Sequence, residues 1–359
     1  MPVRRAVLDL ASSVRADAPG HQPEALSDVD GASMRYRTLG RDGLDVSAVG
    51  LGCLAMAGVY GPADAARFSE LVEQGLRRGL TLIDTADFYG DGANEEMVGR
   101  AIAGRRDEVV VATRGGLRAE RPGGPPKVLD GRPEYLRTAC EASLRRLGVD
   151  HIDLYYLGRV DPEVPVEESV GALAALVAEG KIRHIGLSEA SADDIRRGHA
   201  THPVTALQSE YSLWERHVEA EILPTVRELG IGFVAHTPLG KGFLTRTLTE
   251  ADQLRPGDIR LNHPRFQGEN FRRNAELVAE LDVAVSDTGL SAAQLALVWL
   301  LGRGEDVVPI PGTRSAAHLA ANLGAMNVHP SPQLMERIGK LVSPEQVTGP
   351  RVPVRRGAS

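Results

Sequence analysis

A chain of 359 residues suits one large α/β barrel or two smaller domains, and its 42% apolar and 25% charged content is that of an ordinary globular protein. A formal charge of −7 argues against a nucleic-acid partner, and two cysteines, Cys53 and Cys140, supply no disulfide framework. No apolar run reaches the roughly 18 residues a membrane-spanning helix needs, and Asp9 interrupts an N-terminal apolar stretch already too short for a secretory leader, so the expected setting is cytoplasmic, with no membrane partner.

Residues 1–33 are polar, rich in Ala, Asp, Ser and Pro, and without sustained periodicity, which reads as a flexible tail, with Met34 as an alternative start. Tyr36–Leu39 and Leu44–Ser47 flank Gly40-Arg41-Asp42-Gly43, a hairpin pattern that can plug the bottom of a barrel. Strand-like segments then recur at 48–51, 81–83, 109–112, 152–157, 182–187, 206–208, 232–235 and 307–309. Amphipathic stretches separate them, as at 134–147, where Leu136, Ala139, Cys140, Ser143, Leu144 and Leu147 share one stripe. Eight β/α alternations without a clear linker predict a closed (β/α)8 barrel over residues 34–345, followed by a C-terminal tail over 346–359. The irregular stretch from Leu239 to Gln267 follows a late strand and is a candidate cover for a site.

The chemistry concentrates at strand ends. Thr81-Leu82-Ile83 ends abruptly at Asp84, and Tyr89 follows on a loop before Gly90, Asp91 and Gly92, so an acid and a phenol share one strand–loop–helix unit. Gly50-Leu51-Gly52-Cys53-Leu54-Ala55 matches a dinucleotide fingerprint in letters only, because Gly58, Gly61 and Pro62 interrupt the helix that fingerprint requires. Gly312-Thr313-Arg314-Ser315, with His318 and Asn322 beyond, combines a Gly turn, a helix start and an Arg, which together form a phosphate seat. Gly240-Lys241-Gly242 permits close backbone approach beside a cation. The ten histidines show no H-E-x-x-H spacing, so no metal site is expected.

The segment Asp84-x-Ala86-x-x-Tyr89-Gly90, followed by Asn94-Glu95-Glu96, resembles the aldo-keto reductase signature, and the resemblance extends from about Tyr36 to Met326. It implies bound NADPH, a small carbonyl substrate, Tyr89 as general acid and Asp84 as its support. By the same resemblance, Ser188 and Gln208 hold the nicotinamide carboxamide, Glu189 takes the adjacent cofactor-binding place where some members have Asn, and His236 stands where a Tyr usually stacks on the ring. Thr237, Leu239, Lys241 and Gly242 belong to the pyrophosphate segment. Gly312, Thr313, Arg314, His318 and Asn322 form the adenosine 2′-phosphate motif, with Ala321 where an acid is common.

Two positions depart from the family pattern. Arg114 stands at the catalytic Lys and Gly158 at the catalytic His. Arg114 keeps the cation that makes a phenol a better acid, although only four of the basic residues are Lys, so Arg here also fits the chain's general preference. Gly158 removes a donor to the substrate oxygen, a loss worth about 100- to 1000-fold in rate, and is expected to leave room for a bulky substrate or a water. Strand alternation is expected to turn Arg159 away from the site. The function expected is an NADPH-dependent oxidoreductase reducing an aldehyde or ketone with an altered catalytic set. The alternatives are an NADP(H)-binding barrel running an elimination, isomerisation or cyclisation, and a non-catalytic cofactor-sensing protein. Self-association into a homo-oligomer stays open.

Overall fold

The computed structural model describes residues 34–352 apart from 42, 62–63, 121–125, 285 and 287; the expected tail over 1–33 lies outside the described residues. Strands β1 (Tyr36–Leu39) and β2 (Leu44–Ser47) form the antiparallel hairpin, with Gly43 at φ +78°, a left-handed conformation that favours glycine. Leu39, Leu44 and Val46 join the apolar cluster inside the barrel. Leu39 packs on Gly232, where an added Cβ would lie 2.6 Å from it, and Gly40 abuts Thr205. Both contacts lie at strand N-termini, so the hairpin closes that end.

Eight parallel strands follow: β3 (Leu51–Gly52), β4 (Leu82–Asp84), β5 (Val110–Gly115), β8 (Ile152–Leu157), β9 (Ile182–Ser188), β10 (Ala206–Glu210), β11 (Gly232–His236) and β12 (Val307–Pro309), paired in that order. A small hairpin, β6 (Leu117–Ala119) and β7 (Pro126–Leu129), is inserted after β5. Gly50 N donates to the Pro309 carbonyl at 3.0 Å and Gly52 N to the Pro311 carbonyl at 3.3 Å, which joins the first strand to the last. The eight expected strands are present; the first is shifted from 48–51, and several extend further at their C-terminal ends, where polar side chains continue the ladder.

Strand β8 is buried on both faces and apolar apart from Asp153, which pairs with Arg106 at 2.6 Å. Ile152, Tyr155 and Leu157 pack outward against the helices, while Leu154 and Tyr156 fill the barrel. The Tyr156 ring is accommodated by Gly186, whose Cβ would stand 2.2 Å from it. The helix Pro133–Leu147 buries Leu136, Ala139, Cys140, Ser143 and Leu147, the expected stripe except for the half-buried Leu144, and ends at Gly148 in the left-handed region. No helix among the described residues is long and apolar enough to cross a membrane.

Within the segment read as a C-terminal tail, residues 346–352 are bonded to the barrel. Thr348 N donates to Asn274 Oδ1 at 2.9 Å, and Asn274 Nδ2 returns a bond to the Thr348 carbonyl at 2.9 Å. Arg351 ends this run at the mouth of the barrel. Short-range composition carried no signal for it, because the partners lie about 75 or more residues away in sequence.

Candidate active site

Strand C-termini deliver the polar side chains to one end of the barrel, where a cavity of about 810 Å³ opens. It is bounded by Tyr89, Arg114, Gln208, Lys241, Thr313 and Arg314, among others. Its floor is a buried three-residue ring. Arg114 donates to Asp84 Oδ1 and to Gln208 Oε1, and through Nε to the Thr85 carbonyl at 3.2 Å. Gln208 Nε2 closes the ring on Asp84 Oδ2 at 2.7 Å. The guanidinium carbon lies 5.9 Å from the Tyr89 ring centroid and 5.6 Å from that of Tyr156, both within cation–π range.

The ring sets the charges. Burial pushes the Asp84 carboxyl above its ordinary value, against the pull of Arg114 and Gln208. Burial opposes the Arg114 charge as well, yet the Asp84 carboxylate beside it holds the guanidinium above its ordinary range. Burial also raises the Tyr89 phenol, with Arg114 pulling in the opposite direction. Tyr89 therefore stays protonated through neutral pH, next to a permanent cation. Gln208, grouped in the sequence with the carboxamide ligands, has both amide atoms engaged with Arg114 and Asp84.

Gly158 is fully buried and does not line the cavity. Its N–H donates to the Gly115 carbonyl at 2.7 Å, and a Cβ would meet that same oxygen at 2.8 Å. The missing side chain thus allows two strand ends to close on each other, and the expected vacant space beside the substrate is absent there. A His at this position would have to part β5 from the chain beyond β8 before it could donate to anything. Arg159 corrects the alternation argument. Strand β8 stops at Leu157, the chain turns, and the Arg159 side chain lines the cavity, with Nη1 donating to the Gly158 carbonyl at 2.6 Å and to Ser188 Oγ at 3.1 Å.

A second charge cluster guards the mouth. Glu189, in the left-handed region at φ +55°, accepts at one oxygen from Glu210 N at 2.9 Å, His236 Nε2 at 2.7 Å and Arg351 Nη2 at 2.6 Å. Burial alone would raise its carboxyl, but His236 and Arg351 hold it far below the usual carboxylate range. Glu210 in turn takes Lys241 at 3.2 Å and Arg351 Nε at 2.7 Å. His236 Nδ1 pairs with Thr237 Oγ1 at 2.9 Å, and burial lowers the imidazole despite Glu189. A neutral ring donating from Nε2 and accepting at Nδ1 satisfies both contacts.

At the far end, Ser315 caps the helix Ala316–Gly324, which opens just after Arg314 and carries His318 and Asn322 into the cavity wall. Leu239, Lys241, Gly242, Ile259, Arg260 and His263 bring the 239–267 stretch over the same cavity, the covering position expected of it. Ile259 N donates to the Val59 carbonyl at 3.0 Å, and Arg260 sits 5.0 Å over the Tyr60 ring, so the cover is fastened to the loop after β3. Of the sequence-derived candidates, Tyr89, Asp84, Arg114, Gln208, His236, Thr237, Leu239, Lys241, Gly242, Gly312, Thr313, Arg314, His318 and Asn322 meet at this cavity, whereas Gly158, Ser188 and Glu189 lie behind or beside it. Sequence reasoning missed Arg159, Glu210, Arg351, Tyr60 and Arg260. Glu210 was within reach, since it shares a strand face with Gln208.

The aldo/keto reductase family model matches residues 48–343. The chain belongs to the aldo/keto reductase family. A probable aldo-keto reductase from Glycine max is 44% identical over 315 residues, covering 87% of this chain and 90% of that protein. Among solved structures, a glycerol dehydrogenase from Gluconobacter oxydans superposes with a TM-score of 0.78 at 29% identity, covering 90% of this chain and 99% of that one. An aldo-keto reductase from Bacillus halodurans in its holo form gives 0.72 at 28% identity, covering 87% and 97%. This aldo-keto reductase is an oxidoreductase on a (β/α)8 barrel.

Proposed function

We propose that this aldo-keto reductase reduces an aldehyde or ketone to an alcohol with NADPH, with Tyr89 as the proton donor. The observation that carries the reading is the position of Tyr89 over the closed Asp84–Arg114–Gln208 ring, at one end of a cavity whose other end is a cationic helix start. The donor set fits a dinucleotide. Arg314 and the N-terminus of Ala316–Gly324 suit a phosphate, Lys241 suits a second one, and Gly52 and Gly312 let the first and last strands approach closely beneath them, since a Cβ on either would meet the facing backbone at 2.7 Å and 3.0 Å.

When bound, NADPH supplies the hydride. The protein's part is the proton. As the carbonyl oxygen gains charge, the Tyr89 hydroxyl donates to it, and the phenolate left behind faces the Arg114 guanidinium. Asp84 and Gln208 hold that guanidinium in one orientation and leave it no freedom to withdraw. Arg114 cannot itself donate a proton at neutral pH, so Tyr89 is the acid rather than a relay.

The test is cofactor choice. Arg314→Ala weakens NADPH binding by about 1–3 kcal/mol, the scale of a charge-assisted contact, and leaves NADH nearly unchanged in a fluorescence titration. Equal loss for both nucleotides would remove Arg314 from the 2′-phosphate.

A further inference from the structure

Arg159 is half-buried in the wall of the cavity, and among the described residues only one of its guanidinium nitrogens finds a hydrogen-bond partner. Nη1 is held by the Gly158 carbonyl and Ser188 Oγ. Nε and Nη2, which form the opposite edge, have no protein hydrogen-bond partner among the described residues and are not buried; the side chain borders both this cavity and an adjoining one lined by Asp161, Glu189 and Asp194. The neighbouring cations differ. Arg114 is paired with Asp84, Lys241 with Glu210, Arg351 with Glu189 and Glu210, and Arg260 with Asp258. Arg159 has no carboxylate within 4.0 Å among the described residues, although it sits close enough to Tyr89 and Glu189 for their charges to act on it.

A desolvated guanidinium without an anion is costly, and burial indeed lowers Arg159 from its ordinary value. The energetic debt is removed when an anion arrives. The Nε/Nη2 edge presents two parallel N–H groups, the arrangement that meets both oxygens of one carboxylate. Its anchoring through Nη1 fixes the guanidinium without consuming that edge.

We propose that Arg159 is a specificity residue that selects carbonyl substrates carrying a carboxylate close to the reacting carbonyl, with 2-oxo acids as the simplest class. The inference rests on the reductase reading for the carbonyl, but not for the carboxylate. With the carboxylate forked on Arg159, the adjacent carbonyl oxygen is directed toward Tyr89, and the positioning that position 158 does not provide comes from the anionic end of the substrate.

The test uses the full chain in the presence of NADP+ and two probes that differ only in charge, phenylglyoxylate and its methyl ester, titrated calorimetrically into the unmodified protein, Arg159→Met and Arg159→Lys. The acid is expected to bind the unmodified protein at least about tenfold more tightly than the ester; Arg159→Met should weaken the acid by about 10- to 100-fold and the ester far less, with Arg159→Lys intermediate. Equal binding of acid and ester by the unmodified protein would overturn the proposal. So would an equal loss of both probes in Arg159→Met, the outcome of a purely structural role; Arg159→Lys decides the matter if the Met variant does not fold. Turnover is read separately. If the acid is bound preferentially and neither probe is reduced, the reductase reading fails while the carboxylate site stands.

Discussion

Tyr89→Phe lowers turnover by about 100- to 10,000-fold, the usual contribution of a positioned acid, and leaves NADPH affinity intact. Phe keeps the ring, its edge contact with Phe88 at 5.1 Å between centroids and its place over Arg114. Only the hydroxyl is lost. The pH profile of the unmodified protein reports the same group. Because burial raises the phenol above its ordinary value, the acid stays protonated and competent across the neutral range, and loss through its ionisation falls only in the alkaline range. Steady-state rates for both proteins, with nucleotide affinities measured alongside, are sufficient. A Phe variant that keeps most of its rate would move the proton source elsewhere.

Arg114→Met produces the largest expected loss of stability. Asp84 and Arg114 are both almost fully buried, at 2% and 4% exposure, so removing the cation strands a carboxylate in the barrel interior. Breaking a buried pair from one side costs about 3–5 kcal/mol, and Gln208 loses its Oε1 partner in the same change. The deficit depends on pH. The Asp84 carboxyl already lies above its unfolded value near 3.8, and without Arg114 it rises further. The folded chain then holds a proton that the unfolded chain releases, so stability falls as pH rises from about 4 through the folded value. Urea unfolding at pH 5 and pH 8 should show the variant losing more at pH 8. Arg114→Lys keeps the charge and recovers part of the stability, but one ammonium cannot reach Asp84, Gln208 and the Thr85 carbonyl together. A Met variant as stable as the unmodified protein at pH 8 would contradict the ring as the structural base of the site.

The barrel was legible because its signals are local. Each strand is a short apolar run, and Asp84, Arg114, Gln208 and His236 interrupt those runs at the ends that build a site. What escaped the sequence was decided by long-range closure. Arg159 lies two residues past the end of its strand, where alternation no longer applies. Gly158 looked like a deletion of function, but in the structure it is a close approach between chain segments, visible only once Gly115 is known to face it. Arg351 reaches Glu189 across 162 residues, a pairing no window of sequence contains. The Glu189–His236 contact falls between these cases: both residues stand out as substitutions in recognisable motifs, yet their pairing at 2.7 Å depends on β9 and β11 flanking β10.

The central claim is hydride delivery to a carbonyl beside Tyr89. The direct measurement uses NADPH carrying deuterium at both nicotinamide C4 positions with phenylglyoxylate, following nucleotide oxidation and the mass of the product together. The account predicts one NADP+ formed per hydroxy acid and deuterium on the carbinol carbon. Substrate consumed while the nucleotide stays reduced, or product without deuterium at that carbon, would contradict it and leave an NADP(H)-binding barrel running a non-reductive reaction.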